Sequence, residues 1–239
     1  IQLNGLDNVF FDDFNYTDAD DLEKRGNWDV QEGTGRRPGN RAWWWKKENV
    51  VLMKDESDPT NMIVRLKAKT DGTEGENVSQ SQIRYYEEKF TTGLYVARVQ
   101  LYDHVMEADG PEGSGAWNAT DLGLSTFFTI NRIQGPSWEP YHESDFEYLF
   151  NGGWGGPKPA MHYTTWNSYA IDSNSESQTN QSQSTNNEGG SLDKKWIILT
   201  VKIDESGRTT YYIDGKQKFS HANKDAIVAL VSSLGTSPH

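Results

Sequence analysis

Three carboxylates occupy every second position of one short segment: Glu143, Asp145 and Glu147. Aromatic neighbours favour a β-strand here, and alternate residues of a strand point to the same face. The three carboxylates would therefore share a face with Tyr141. Like charges at such short range oppose joint ionisation and raise at least one pKa. This pattern is typical either of the solvated face of a strand or of a site that uses paired carboxylates.

Paired carboxylates can hydrolyse glycosides. In a retaining enzyme, one ionised carboxylate attacks the anomeric carbon, and one protonated carboxyl donates to the leaving oxygen from about 5–5.5 Å away. Residues four apart on a flat strand have Cα atoms about 13 Å apart. Glu143 and Glu147 would therefore lean towards each other on a concave, twisted sheet. With Asp145 between them, the three groups are predicted to titrate as a coupled set.

The elements around this segment are short and rich in β-branched and aromatic residues, with Gly, Asp, Asn and Pro between them. Strands are predicted at 8–14, 49–54, 61–69, 80–86, 88–102, 124–131, 142–150, 160–171, 195–204, 208–213 and 216–220. Asp214-Gly215 predicts a hairpin, because both residues of its turn need positive φ. No segment shows a persuasive helical pattern, and the polar segment 173–191 is predicted to be a long surface loop. An all-β sandwich or jelly roll is the expected architecture.

Composition excludes several classes of function. The 239 residues suit one large all-β domain, or else two small ones. A net charge of −12 argues against nucleic acid or an anionic membrane as partner, because both attract clustered Lys and Arg. The chain has no Cys, which excludes disulfides, zinc–thiolate sites and a Cys nucleophile. No stretch approaches the roughly 18 apolar residues of a membrane span.

The carboxylate segment resembles the signature of glycoside hydrolase family 16, in which Glu-x-Asp-x-Glu on a strand precedes aromatic and Leu positions. The stretch 142–149, followed by Asn-Gly-Gly-Trp-Gly at 151–155, is similar to bacterial members in particular. Other pieces follow in the family's order, at 11–14, 81–83, 93–99, 125–130, 196 and 211–215. Together they extend the resemblance over residues 8–220.

This resemblance implies a concanavalin-A-like jelly-roll sandwich of two curved antiparallel sheets, with the substrate lying across the concave sheet. By motif position, Glu143 is the expected nucleophile, Asp145 the assisting carboxylate and Glu147 the acid/base. The expected activity is that of an endo-acting retaining β-glycanase that hydrolyses β-glucan-type polysaccharides by double displacement. The expected partner is the polysaccharide, no cofactor is required, and the expected state is a monomer. Because the sequence begins at Ile1 and not at Met, it resembles a processed, secreted chain.

Two features depart from the family. Ser144 stands where members usually carry an aliphatic residue that packs into the core, so slightly looser packing is expected behind the strand. Members also usually continue beyond the equivalent of His239 into one more cleft-lining strand. A single domain over 1–239 that lacks this strand, with an open sheet edge, is therefore expected.

Flat aromatic rings can stack on sugar rings, although each Trp fits core packing equally well. The candidates for substrate binding are Tyr141, Trp138, Trp154, Trp166, Trp117 and His162. The His residues show no metal-ligand spacing, so metal ligands are unknown. A structural calcium ion is compatible with the resemblance, and its candidate oxygen donors are the Asp-rich runs 12–13 and 18–21.

Several alternative functions stay open. A non-catalytic carbohydrate-binding module on the same fold needs no carboxylate triplet. A polysaccharide lyase usually needs Arg or Lys to neutralise an acidic substrate, and a scaffold module would bind no glycan. Transglycosylation competes with hydrolysis, and mixed-linkage glucan, xyloglucan, β-1,3-glucan and galactan all remain candidate substrates.

Overall fold

The computed structural model describes residues 9–36, 42–68, 78–85, 92–101, 124–132, 141–149, 160–166, 168–172, 175–179, 182–186, 192, 194–206 and 208–221. The chain divides into two compact units, residues 1–88 and residues 89–239. A single domain over 1–239 stays a prediction. No helix in the described ranges is long and apolar enough to cross a membrane.

The first unit combines short strands with a short helix. Its elements are α1 (Ala19–Gly26), β1 (Trp28–Val30), β2 (Gly33–Arg36), β3 (Ala42–Trp45), a 3-10 turn (Lys47–Asn49), β4 (Val50–Lys54), β5 (Met62–Leu66), β6 (Val78–Gln80) and β7 (Ile83–Tyr85). They form the sheets β1–β7, β2–β3–β6 and β4–β5. The β3–β6 pair is parallel, unlike the antiparallel pairing that was predicted. Leu22, Val30 and Val50 form the buried core of the unit.

The prediction that the chain has no helix is wrong for α1. Asp18 caps the helix, with its Oδ1 accepting the N–H of Asp21 at 2.8 Å, and Asn27 ends it in the left-handed conformation. Leu22 is buried against the strands of the unit. Eight residues are too few to show a clear apolar period, so the sequence signal lies in the caps and in the terminal charges.

The strand predicted at 8–14 is also wrong, because residues 9–14 form no strand. Asp12 explains the difference. Its Oδ1 accepts the N–H of Phe14 at 2.7 Å, and its Oδ2 accepts from Tyr16 Oη at 2.6 Å and from Trp28 Nε1 at 2.7 Å. A carboxylate that binds the backbone two residues on makes an Asx turn, and Phe14 accordingly has φ 56°.

Strands make up the described part of the second unit. They are β8 (Gly93–Gln100), β9 (Leu124–Arg132), β10 (Tyr141–Leu149), β11 (Ala160–Trp166), β12 (Ser168–Asp172), β13 (Ser175–Thr179), β14 (Ser182–Asn186), β15 (Trp196–Ile203), β16 (Thr209–Ile213) and β17 (Lys216–His221). The upper sheet has the order β14–β11–β10–β9, and the lower sheet has the order β17–β16–β15–β8. All strand pairs in both sheets are antiparallel.

The two sheets pack face to face around one apolar core. The upper sheet contributes Phe146, Tyr148, Met161 and Tyr163, and the lower sheet contributes Ile197, Leu199, Val201, Tyr211 and Ile213. Burial of these side chains removes apolar surface from water, which is the main stabilising contribution to such a sandwich. The all-β sandwich prediction is confirmed.

The polar segment 173–191 is not the long loop that was predicted. It contains β13 and β14, and β14 extends the upper sheet by pairing with β11 from Met161↔Asn186 to Thr165↔Ser182. Backbone hydrogen bonding to an existing strand needs no apolar side chains, so composition did not reveal this pairing.

The β16–β17 hairpin forms as predicted. Asp214 has φ 50° and Gly215 has φ 73°, the left-handed backbone that this tight turn requires. The Asp214 carboxylate also accepts the N–H of Ile198 at 2.9 Å, and its own N–H donates to the Ile198 carbonyl at 2.9 Å. The turn is thereby attached to β15.

Candidate active site

The carboxylates lie on β10, a central strand of the upper sheet. It pairs with β9 over nine residues and with β11 over seven, so the extended backbone is held on both sides. Phe146 and Tyr148 are fully buried in the core between the sheets. Alternation therefore directs Glu143, Asp145 and Glu147 to the opposite face, which is the face outside the sandwich core.

The three carboxylates differ in their exposure. Asp145, in the middle, has only 4% of its surface exposed, whereas Glu143 and Glu147 are both half-buried. Burial disfavours a charged carboxylate unless protein groups compensate for the lost water. The arrangement therefore leaves two partly accessible glutamates on either side of an inaccessible aspartate.

Glu147 has the environment of a proton donor. Burial raises the pKa of Glu147, while a hydrogen bond from Thr164 and the nearby His162 oppose that rise. The Oγ1 of Thr164 donates to Oε2 of Glu147 at 2.8 Å. A carboxyl with a raised pKa keeps its proton closer to neutral pH, as a general acid requires.

Strand β11 brings His162 and Thr164 to the carboxylates. The register pairs Glu147 with His162, Asp145 with Thr164 and Glu143 with Trp166. His162 has 3% of its surface exposed and Thr164 has none. The predicted contact of His162 with sugar hydroxyls stays a prediction.

Strand β9 supplies the neighbours on the other side. Thr126 pairs with Glu147, Phe128 with Asp145 and Ile130 with Glu143. Thr126 is exposed and Ile130 is 41% exposed, so a partly apolar surface runs beside the carboxylates. The sequence analysis did not name Thr126, Phe128 or Ile130. Alternation along β9 and β10 predicts that they lie beside the carboxylates only when the register between the two strands is known.

Slightly looser packing was expected behind β10 at Ser144. The structure shows a buried polar contact at this position. Ser144 is buried and hydrogen-bonds to the hydroxyl of Tyr211 from the lower sheet. That hydroxyl also lies 2.7 Å from Thr165 Oγ1 and donates to the Thr164 carbonyl at 2.6 Å. Polar groups with mutual partners are tolerated in a core, and here they connect the lower sheet to β10 and β11.

Comparison with solved structures identifies this arrangement of strands. A glycoside hydrolase family 16 endo-glucanase from Bacteroides ovatus, in complex with G4G3G-2F-DNP, is 16% identical over 89% of this chain and 78% of its own, with a TM-score of 0.58. A β-glucanase from Bacillus licheniformis is 13% identical over 82% of this chain and 72% of its own, with a TM-score of 0.53. The chain has the fold of glycoside hydrolase family 16. No family model and no curated protein matches the sequence.

For the aromatic residues that were predicted to bind substrate, the structure gives at most the backbone position. Tyr141 begins β10 and pairs with Arg132, and Trp166 ends β11 and pairs with Glu143. Trp117, Trp138 and Trp154 lie outside the described residues. Their contacts with a sugar stay predictions.

The Asp-rich runs 12–13 and 18–21 make contacts within the protein, and the structural calcium ion that the family 16 resemblance allows stays a prediction. Both oxygens of Asp12 accept protein hydrogen bonds, and Asp18 caps α1. Asp20 pairs with Lys47 at 2.5 Å, and Asp21 pairs with Arg25. Within the described ranges, no group of three or more His, Cys, Asp or Glu residues could hold a metal ion.

Proposed function

We propose that this chain is a secreted, endo-acting, retaining β-glycanase that acts on β-glucan-type polysaccharides. The observation that carries the proposal is the carboxylate triplet on one face of β10, with Glu147 held in an environment that raises its pKa. The family 16 fold supports it, since the structural neighbours include an endo-glucanase and a β-glucanase.

In the first step, a carboxylate oxygen of Glu143 bonds to the anomeric carbon as the glycosidic C–O bond breaks. The electron pair of that bond goes to the leaving oxygen, which takes the proton of Glu147. In the second step, the Glu147 carboxylate takes a proton from water while the water oxygen bonds to the anomeric carbon and releases Glu143. Two inversions give net retention.

The role of Asp145 is to keep the two glutamates in different states. An ionised Asp145 would oppose ionisation of all three groups together, because like charges at short range disfavour one another. One glutamate can then be a carboxylate nucleophile while the other keeps its proton.

The test is reducing-sugar release from lichenan, laminarin, xyloglucan, agarose and galactan. Glu143→Gln should abolish release from the polymer that the wild-type protein degrades, with a loss of several orders of magnitude. Glu205→Gln, an exposed substitution of the same type in a turn, should leave activity unchanged. NMR of fresh hydrolysate should show β-anomeric products, and inverted products would exclude the retaining mechanism.

If the wild-type protein binds one of these polymers without releasing sugar, the proposal fails in favour of a carbohydrate-binding module. Release that is unchanged in Glu143→Gln would exclude this carboxylate as the nucleophile. Longer oligosaccharides formed from added acceptors would indicate transglycosylation.

A further inference from the structure

Thr164 is placed to control the proton of Glu147. Its side chain is fully buried on β11, and its Oγ1 donates to Oε2 of Glu147 at 2.8 Å. Thr164 pairs with Asp145 in the register, so its hydroxyl reaches the next carboxylate along β10 diagonally. A β-branched side chain in a strand has few accessible rotamers, which holds the direction of the hydroxyl.

The two oxygens of Glu147 are therefore not equivalent. The oxygen that already accepts a hydrogen bond from a buried hydroxyl is the poorer position for a proton of its own. We propose that Thr164 is a positioning residue for Glu147, whose hydroxyl keeps Oε2 as an acceptor and leaves Oε1 to carry the proton delivered to the leaving oxygen. This inference rests on the proposed function, because it concerns the acid of that mechanism.

The same contact serves both steps of the reaction. When the O–H bond at Oε1 breaks and the leaving oxygen takes the proton, a charged carboxylate remains in a half-buried position. The Thr164 hydroxyl stabilises that charge, since hydrogen bonds to ionised groups are stronger than those between neutral groups. In the second step, Oε1 takes a proton from the attacking water. Thr164 itself touches no reacting atom.

The described groups that face Glu147 determine the direction of the pH effect. His162 lies opposite on β11, Thr126 lies opposite on β9, and Asp145 is two residues away on β10. Replacing Thr164 by Val leaves these neighbours unchanged but removes a donor to the carboxylate. The pKa of Glu147 should therefore rise further above its ordinary value, because the charged form loses stabilisation.

The experiment compares the wild-type protein with Thr164→Val and Thr164→Ser. The substrates are two aryl β-glycosides of the oligosaccharide that the wild-type protein releases, one with a 2,4-dinitrophenyl group and one with a 4-methylphenyl group. The dinitrophenolate leaves without a proton, whereas the methylphenolate needs the acid. In Thr164→Val, kcat/KM for the methylphenyl glycoside, which reports the first step alone, should fall by about tenfold or more, and kcat/KM for the dinitrophenyl glycoside should stay within about twofold.

The pH profile gives an independent readout. The alkaline limb of kcat/KM should move to higher pH in Thr164→Val, because that limb follows deprotonation of the acid. Thr164→Ser should restore both the rate and the limb. Thr200→Val is the matched control, since it removes a half-buried hydroxyl of the same residue type from β15 in the lower sheet, and it should change neither readout.

An equal loss of rate on both glycosides in Thr164→Val, or an alkaline limb of kcat/KM at the wild-type pH, would overturn the inference. Thr164 would then have only a structural role. If neither Thr164→Val nor Thr164→Ala folds, as judged by near-UV circular dichroism, the structural role also replaces the positioning role. A wild-type protein that is inactive on every polymer defeats the proposed function itself. Full activity of Thr164→Val beside an inactive Glu143→Gln defeats only this inference.

Discussion

At the carboxyl of Glu147, burial and hydrogen bonding act in opposite directions. Burial raises its pKa and is the larger effect, while Thr164 and His162 favour the charged form. The folded protein therefore holds this proton to higher pH than the unfolded chain does. Stability contributed by this group is present at low pH and is lost as pH rises from the unfolded pKa through the folded pKa. A residue suited to acid catalysis thus makes the fold less stable at neutral pH.

Glu147→Gln is expected to increase stability at neutral pH while abolishing the acid function. The amide is neutral and can still accept the Thr164 hydroxyl, so the cost of a buried charge disappears. We expect a gain of about 1 kcal/mol at pH 7, which raises Tm by roughly 2–4 °C at this chain length. The gain should shrink near pH 4, where Glu147 becomes neutral in both states.

Differential scanning calorimetry at both pH values checks this expectation. The control is Glu205→Gln, which changes an exposed carboxylate in a turn of the same unit. An equal change in Tm at the two pH values would show that the effect does not come from ionisation of Glu147.

At the level of elements, β10 is held from both sides by its neighbours and from below by the lower sheet. The hydroxyl of Tyr211, on β16, contacts Ser144, Thr165 and the Thr164 carbonyl. The aromatic ring packs edge-on against Phe146, with 5.2 Å between ring centroids. The strand that carries the carboxylates is therefore connected to the opposite sheet by both apolar and polar contacts.

Tyr211→Phe should destabilise the protein by about 1–3 kcal/mol, because it keeps the ring and leaves buried partners without their hydrogen bonds. Urea unfolding at constant m-value measures the change. Tyr212→Phe is the matched control, since Tyr212 is only half-buried and lies on the other face of β16, and it should stay within about 0.5 kcal/mol of the wild-type protein. Equal effects of the two substitutions would exclude a special role for the buried network.

At the level of the whole molecule, the net charge of −12 should affect the binding of acidic polysaccharides but not that of neutral ones. A neutral glucan has no charge for this field to act on, whereas a sulfated or uronic polymer is repelled. The upper sheet adds the two half-buried glutamates of β10, Glu143 and Glu147, to the surface on which the substrate is proposed to lie.

The kcat/KM for a neutral glucan should therefore change by less than about twofold between 0.05 and 0.5 M NaCl, because screening affects only charged partners. Any activity on an anionic polymer should rise with salt over the same range. A steep fall in activity on the neutral polymer with salt would indicate a charged contact in the substrate site, contrary to this expectation.

Local residue patterns were sufficient to predict which side chains share a strand face and where the last hairpin turns. Period two along 141–149 determined which side chains share the face of Glu143, and Asp214-Gly215 determined the last hairpin, because both depend on neighbours close in sequence. Carboxylates at alternate positions also led to the proposed glycosidase chemistry, which stays a prediction. The caps of α1 carried a local signal as well, but one that apolar periodicity does not reveal.

Only tertiary structure placed Thr164 beside Glu147, Tyr211 beneath Ser144 and the polar strand β14 at the edge of β11. These contacts depend on the register between strands and on how two sheets face each other. A shift of one residue in register would turn Thr164 to the opposite face, and no pattern within either strand specifies which register is adopted. The hydrogen bond from Trp28 Nε1 to Asp12 Oδ2 likewise joins residues that are far apart in sequence. Residue identity thus determined the kinds of groups available to the site, while the long-range packing of the sheets determined which of them meet.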